Sequence, residues 1–363
     1  MQDYVHLHVH TQYSLLDGQA SVSNILNKAM ADGMRGVAVT DHGNMKEFFN
    51  TSKALISNAE KEVKTLSEIP ENETPEAKIE REALLEKAKK RAAFMPIIGC
   101  EMYVARNSLS SKSQREDQSG NHLVVLAKNK RGYQNLIKLV SKAYVDGYYY
   151  RPRTDHEELK KYHEGLIVSS ACLAGEVPAK ILKGDLAGAE QSVLWFKEVF
   201  GEDFYLELQR HEVKDPTIHA NREAYELQKR VNAQIIELAK KHNVKLICTN
   251  DVHFVDEEDA EAHDRLICLS TGKDLDDPKR MVYSKQEWFK TQAEMNAIFA
   301  DIPEALANTC EICSKIERYS IDSGPIMPCF PIPESFGTEE EYRQRITEEM
   351  LFNELTQDEN GNV

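Results

Sequence analysis

Seven short β-rich runs, separated by longer stretches with helical spacing, constrain this chain more than any other feature. They fall at residues 5–10, 36–40, 95–104, 122–127, 165–169, 204–209 and 245–249. Alternation of this kind implies an α/β fold in which strand–helix units close on a parallel sheet or a barrel. Chemically able residues stand at or just after most of the C-terminal ends: Asp41 and His42, Glu101, Cys172, Arg210 and His211, Asp251 and His253. In parallel barrels the reactive groups come from that rim. His122 breaks the pattern, because it opens its run.

The first run reads His6-Leu7-His8-Val9-His10. Strand side chains alternate with period two, which sends Val5, Leu7 and Val9 to an apolar core and His6, His8 and His10 to the other face. Imidazoles one pleat apart make a rigid half of a site for zinc, manganese or iron. A polar-faced edge strand with solvated histidines is the plainer alternative. The apolar residues between the histidines, and Asp17 on the turn that follows, favour the site.

At 363 residues the chain is long enough for one large domain and an appendage. Apolar residues at 41% and charged residues at 29% describe a soluble globular protein. No stretch is apolar enough to span a membrane, and the first residues lack a signal-peptide pattern, so a cytoplasmic protein with no membrane partner is expected. Seven cysteines, an odd number spread over a long chain, fit reduced thiols rather than a disulfide framework. The net charge of −15 argues against broad adhesion to nucleic acid, although a local basic groove or bound cations can offset it.

Along the chain, Ser21 caps a helix with Ile25, Leu26, Ala29 and Met30 at helical spacing. Residues 51–91 are rich in Glu and Lys and broken by Pro70 and Pro75, the pattern of a solvated helical hairpin inserted between strands. Tyr148, Tyr149 and Tyr150 stand beside Arg151 and Arg153. Such a mixture, here Tyr149, Tyr150, Arg151 and Arg153, suits stacking on bases and holding phosphates of single-stranded nucleic acid. Tyrosines packing a loop, with the arginines paired to acids, is an equal alternative. Cys310 and Cys313 fall three apart inside a helical stretch, which favours a packed face over a zinc site. From about Arg280 the alternation stops. Trp288, Phe289, Met295, Ile298 and Phe299 have helical spacing, and a Pro-rich stretch at 325–333 precedes an acidic helix and a polar end. The domain reading is therefore 1–280 for the barrel and 281–363 for the opening of a further region.

Gathering the rim residues gives His8, His10, Asp17, His42, Glu101, His122, Cys172, Asp251 and His253. The phrases HLHVHTQYSLLDG, VTDHGNM, IIGCEMYV, NHLVVLAKN, SSACLAGE and TNDVHF, in that order, resemble the successive motifs of the polymerase and histidinol phosphatase (PHP) family of metal-dependent phosphoesterases. The likeness is strongest to the PHP domain that opens the alpha subunit of bacterial replicative DNA polymerases. GYYYRPRTD, IPEALANT and FPIPESF share it, so that only residues 51–91 depart from the pattern.

The resemblance implies a distorted seven-stranded TIM-like barrel holding up to three divalent ions. Carried over motif by motif, His8 and His10 bind one ion with Glu101 and Asp251, and Glu101 bridges to a second held by His122 and Cys172. Asp17, His42 and His253 hold a third. His6 lies outside the set. Mixed nitrogen, oxygen and sulfur ligands favour zinc, with manganese or iron open where carboxylates dominate. Two cations sharing a carboxylate sit about 3.5–4 Å apart, a spacing that clamps both oxygens of a phosphodiester displacement. Glu101 and Asp251 would thus be catalytic through metals.

The implied activity is a 3′–5′ exonuclease on DNA attached to a DNA-directed DNA polymerase whose nucleotidyltransferase site lies outside this chain. Its partners would be DNA and the remainder of the alpha subunit. A pyrophosphatase is one alternative, and a metal-stabilised scaffold docking a separate proofreading exonuclease is another. Polymerase members that serve only as scaffolds have lost several ligands, whereas this sequence has a metal-competent residue at all nine positions.

Overall fold

A computed structural model describes the chain apart from residues 44–47, 70–72, 114, 323–324, 326, 329–332, 357, 359, 361 and 363. It divides into two compact units, Met1–Ile321 and Asp322–Val363. The second contains the short helices Glu339–Arg345 and Glu348–Thr356. Most of the Pro-rich stretch at 325–333 lies outside the described residues.

The first unit is built on β1 (Gly36–Val39), β2 (Met95–Val104), β3 (Asn121–Ala127), β4 (Arg153–Thr154), β5 (Leu166–Ser169), β6 (Phe204–Leu208) and β7 (Lys245–Cys248). They form one sheet in the order β1-β2-β3-β5-β6-β7, with the two-residue β4 added on β2. The fold is α/β, but the sheet is mixed rather than parallel. β3 runs antiparallel to both β2 and β5, while β1/β2, β5/β6 and β6/β7 are parallel. Among the described residues the β2–β3 connection holds the short turn Arg115–Gln118 and no crossover helix, and the chain returns in the opposite direction.

The run at residues 5–10 is not a strand of this ladder. It is an extended segment that bonds to both edges of the sheet. Towards β1, Ala38 N donates to His6 O at 2.8 Å and Thr40 N to Val9 O at 2.8 Å. On the other side His10 N donates to Val252 O at 2.7 Å, just beyond β7. The segment thereby curls the sheet into a distorted barrel. The chain also bends at His8, which breaks the expected alternation. Val5 and Leu7 lie in the barrel interior, whereas Val9 joins the outer layer between sheet and helices.

Alternation holds on the strands themselves. Ala38, Ile97, Val124, Leu126, Ile167, Tyr205 and Ile247 share the interior cluster. Their neighbours Val37, Val39, Ile98, Val125, Val168, Leu206 and Leu246 pack outward with helix residues such as Ile25, Leu26, Leu136, Phe196 and Ile235. Followed by period two along each strand, the interior rows pass from apolar to polar. Ala38 leads to Thr40 and His42, Ile97 to Gly99 and Glu101, Tyr205 to Glu207, and Ile247 to Thr249 and Asp251. On the reversed β3 the row runs Leu126, Val124, His122. One end of the interior is therefore greasy and the other carries the chemistry.

The apolar end is sealed from an unexpected quarter. Ile312 and Cys313 of helix Pro303–Lys315, and Ile316 just after it, complete the interior cluster. Thr309 Oγ1 accepts a hydrogen bond from Val5 N at 3.0 Å, and Glu311 pairs with Lys245 at the start of β7 at 2.7 Å. The compact unit consequently runs past residue 280 to Ile321. Phe289, Met295, Phe299, Ile302 and Leu306 belong to its outer core. Trp288 and Phe289 are not helical, as their spacing had implied. They precede helix Gln292–Ile298, which starts at a reciprocal Thr291–Glu294 cap.

The insertion between β1 and β2 is a pair of helices, Phe48–Ser67 and Pro75–Ala92. Ala88 is the single residue of the second with a buried side chain, in keeping with a solvated hairpin.

Candidate metal centre

All nine residues gathered from the rim come together at the polar end of the barrel. Glu101, on β2 and 1% exposed, is the hub. Its Oε1 lies 2.9 Å from His122 Nδ1, 3.2 Å from His8 Nε2 and 3.9 Å from Cys172 Sγ. Its Oε2 lies 2.8 Å from His42 Nδ1 and 3.4 Å from His10 Nε2. Asp251 Oδ1 stands 3.2 Å from His8 Nε2 and 3.3 Å from His10 Nε2. Asp17 Oδ2 stands 2.9 Å from His42 Nε2 and 3.7 Å from His253 Nε2.

These contacts fall into three overlapping groups able to surround an ion: His8, His10 and Glu101; His42, Glu101 and His122; and His10, His42 and His253. Five of the facing atoms are buried without a hydrogen-bond partner, namely His8 Nε2, His10 Nε2, His42 Nδ1, Glu101 Oε2 and Asp251 Oδ1. An unpaired buried polar atom costs about 1–3 kcal/mol, so five turned toward one another fit cations that they would jointly ligate.

The backbone is bent to aim these groups. Leu16, Ala171 and Asp251 are non-glycine residues with φ of 60°, 57° and 47°. Each adjoins or is a candidate ligand, and such left-handed conformations persist only where surrounding structure enforces them.

The charges show what the site attracts. Burial alone would raise a carboxyl and lower an imidazole. Against that tendency Asp17 is held far below the usual carboxylate range by His253 and His42. Against its own burial, His42 is pushed up to about 10 by Glu101 and Asp17. His253 is likewise pushed up to about 9 by Asp17. Burial pushes the Cys172 thiol up, and Glu101 and Asp251 push it further, so this sulfur becomes a thiolate ligand only beside a cation. The cluster draws positive charge, for which protons and metal ions compete.

Other rim residues take no part. His6 is fully buried on the outer side, with Nε2 2.7 Å from Lys290 O and its ring against Phe289. Arg210 is committed to Asp301, and His211 to Gln228 and Asn250. Of the four residues proposed to touch nucleic acid, Arg153 is a correction. It is fully buried, and its guanidinium donates to the carbonyls of Gly147, Ser111, Asp117 and Leu109, so it is unavailable to a phosphate. Tyr149 is half-buried against Arg153, with the guanidinium 5.5 Å from the ring centroid. Tyr150 and Arg151 are exposed. Arg151 lies over the Tyr103 ring at 5.7 Å, and that ring contacts His42 and His122.

Sequence reasoning passed over three residues that support the centre, Glu207, Ser14 and Tyr283, and placed a fourth, Asp41, on the rim without giving it a role. Glu207 lies 2.7 Å from His8 Nδ1. Ser14 Oγ lies 2.9 Å from His10 Nδ1 and donates at 2.8 Å to the buried carboxylate of Asp41. Tyr283, from beyond residue 280, donates to Asp17 Oδ1 at 2.8 Å. The period-two row from Tyr205 to Glu207 is the one signal that could have found Glu207.

A family profile described as "PHP domain" matches residues 6–211 of this chain. The chain belongs to the PHP domain family. Seven of the nine centre residues lie within the matched PHP stretch, and Asp251 and His253 follow it. The chain is also 40% identical over 351 residues to the DNA polymerase III subunit alpha of Borreliella burgdorferi, with 96% of this chain and 27% of that protein aligned. To the corresponding subunit of Treponema pallidum it is 34% identical, with 96% and 26% aligned. For that of Campylobacter jejuni the identity is 36%, with 93% and 25% aligned. The PHP chain thus spans about a quarter of the length of these relatives.

Proposed function

We propose that the polar end of this PHP barrel is a metal-dependent phosphoesterase centre, acting as a 3′–5′ exonuclease on DNA beside a replicative polymerase. The observation that carries this reading is the ring of five buried nitrogen and oxygen atoms around Glu101 that have no hydrogen-bond partner. His8, His10, Glu101 and Asp251 would hold one ion, His122 and Cys172 with Glu101 a second, and Asp17, His42 and His253 a third. Zinc suits the mixed donor set, with manganese or iron as alternatives. Bound divalent ions supply Lewis-acid stabilisation of a phosphoryl oxygen and a nucleophile at neutral pH.

The chain's own residues do the rest. Glu101 and Asp251 fix the spacing of the positive charges, and the buried imidazoles hold their lone pairs toward the same point. Arg151, on its Tyr103 platform beside His42 and His122, would take a phosphate of the incoming strand, with Tyr150 exposed next to it. The likeness to polymerase subunits supports a role in DNA replication. In this reading residues 281–363 are the start of the polymerase portion, although those up to Ile321 are packed into the barrel unit. Among the described residues no helix is long and apolar enough to cross a membrane. A cytoplasmic location belongs to the same proposal.

The test is hydrolysis by the chain loaded with zinc, manganese or iron, using 3′-labelled single-stranded DNA and, separately, pyrophosphate. Wild type should degrade the DNA from its 3′ end, and Glu101→Gln, folded to the same extent, should be inactive. Hydrolysis of pyrophosphate alone would change the substrate. If neither substrate is cleaved above the Glu101→Gln background, the centre is a scaffold that docks other subunits.

A further inference from the structure

We infer that Glu207 is a positioning residue of this centre, acting on the metal through His8; the inference rests on the metal-centre reading above. Glu207 sits near the C-terminal end of β6, 2% exposed, on the interior row that begins with Tyr205. Its Oε1 stands 2.7 Å from His8 Nδ1, and both side chains are fully enclosed. The same carboxylate accepts from Ser169 Oγ at 2.6 Å, Thr249 Oγ1 at 2.5 Å and Gln209 Nε2 at 3.0 Å. Four donors converge on two oxygens, and each partner has a hydrogen to give. At 2.7 Å the carboxylate accepts from His8, which keeps a proton on Nδ1.

That choice fixes what the other nitrogen can do. Nε2 is then the nitrogen left for a metal ion, and it is this atom that faces Glu101 and Asp251, at 3.2 Å from each, without a hydrogen bond. A carboxylate behind a ligating imidazole also raises its basicity and locks the ring's rotation. Two of the other histidines, His10 and His253, are backed by neutral groups. His10 Nδ1 meets the Ser14 hydroxyl, and His253 Nδ1 meets the carbonyl of Asp251. His8 is thus set apart from His10 and His253 by the carboxylate behind it. A role confined to the barrel is the competing account, since Glu207 also ties β5 to β7 through Ser169 and Thr249.

Glu207→Gln keeps the volume and one acceptor while removing the charge. Ser169→Ala removes a hydrogen bond from the same carboxylate and keeps the charge. Zinc affinity, read by competition with a chromogenic chelator, should fall about 10–100-fold in Glu207→Gln and stay at the wild-type value in Ser169→Ala. Wild-type zinc affinity in Glu207→Gln, or an equal loss in both variants, overturns the inference and leaves a structural hub. A second measurement needs no variant of Glu207. In zinc-loaded wild type, nitrogen-15 NMR should show His8 protonated at Nδ1 and ligating through Nε2, and ligation through Nδ1 overturns the inference. The two failures are distinct, because a wild-type chain that binds no zinc removes the metal centre itself.

Discussion

Glu101 Oε1 and His122 Nδ1 lie 2.9 Å apart although their strands run in opposite directions. The reversal of β3 brings its first residues to the same rim as the last residues of the parallel strands. Register then does the aiming, since Tyr103 pairs with His122 and Glu101 with Val124. A slip of one residue would turn His122 into the outer layer.

Metal should contribute to stability. Among the described residues, Asp17, Asp41, Glu101, Glu207 and Asp251 are drawn together with imidazoles, hydroxyls, amides and a thiol as their partners. An ion present at 100 times its dissociation constant adds about 2.7 kcal/mol. Chelation verified by metal analysis should lower the melting temperature by about 5 °C or more. A melting curve that does not move counts against the centre.

Gly99→Ala should be damaging although it adds one carbon. A Cβ there would lie 2.6 Å from Leu126 Cδ2 and 2.9 Å from Val125 O, inside the interior row two residues before Glu101. Overpacking of this kind costs about 1–3 kcal/mol. Because Glu101 would be carried along, zinc affinity should fall with the urea midpoint. Loss of stability with full affinity would show that β2 accommodates the methyl group without moving its ligand.

The two arginines of the tyrosine-rich loop should behave oppositely. Arg153→Met removes the donors to four carbonyls, those of Gly147 and Asp117 in buried bonds, and should destabilise the protein by about 3 kcal/mol. Arg151→Gln, at an exposed position, should leave stability within about 0.5 kcal/mol. It should also weaken single-stranded DNA binding and flatten its salt dependence by about one phosphate contact. DNA affinity unaffected by Arg151→Gln removes that residue from the interface.

Acid should expose the ion pair behind helix Glu176–Leu182. Burial would raise the Glu176 carboxyl, but His156, Ser192 and Lys180 reverse this and hold it at about 2, below the usual 4.5. A depressed carboxyl contributes fully above pH 4.5, and the contribution is lost as pH falls from there through 2. At 1.36 kcal/mol per unit its ceiling is about 3 kcal/mol. Urea unfolding of wild type and Glu176→Gln should differ by up to that amount at pH 7, and the gap should narrow steadily below pH 4.5. A gap that is constant with pH refutes the assignment.

Much of this was legible beforehand, for identifiable reasons. The strands after residue 35 other than the two-residue β4 were found because period-two burial and flanking turns are local signals, and the rim residues followed from where those strands stop. Direction is not local. Nothing in residues 121–127 says that they run backwards, and His122 looked anomalous for that reason alone. The bend at His8 defeated parity in the first run, placing His6 outside while His8 and His10 stay within. Arg153 looked free because its partners are carbonyls supplied by three other loop positions and Gly147, which composition does not reveal. Glu207 was hidden by the ordinary expectation that a lone glutamate on a strand faces water.

The helix that fills the apolar end of the barrel has a bearing on how the molecule is made. Synthesis proceeds from the N-terminus, and domains tend to fold as units while they emerge. When residue 280 has left the ribosome, every strand and every candidate ligand has been produced, yet Ile312, Cys313 and Ile316 have not. Until they arrive, Val5, Leu7, Ile97 and Ile247 border an open apolar mouth. Helix Pro303–Lys315 and Ile316 thus act as a stopper fitted after the vessel is formed, and a nascent chain halted before them would present its inside to the cell.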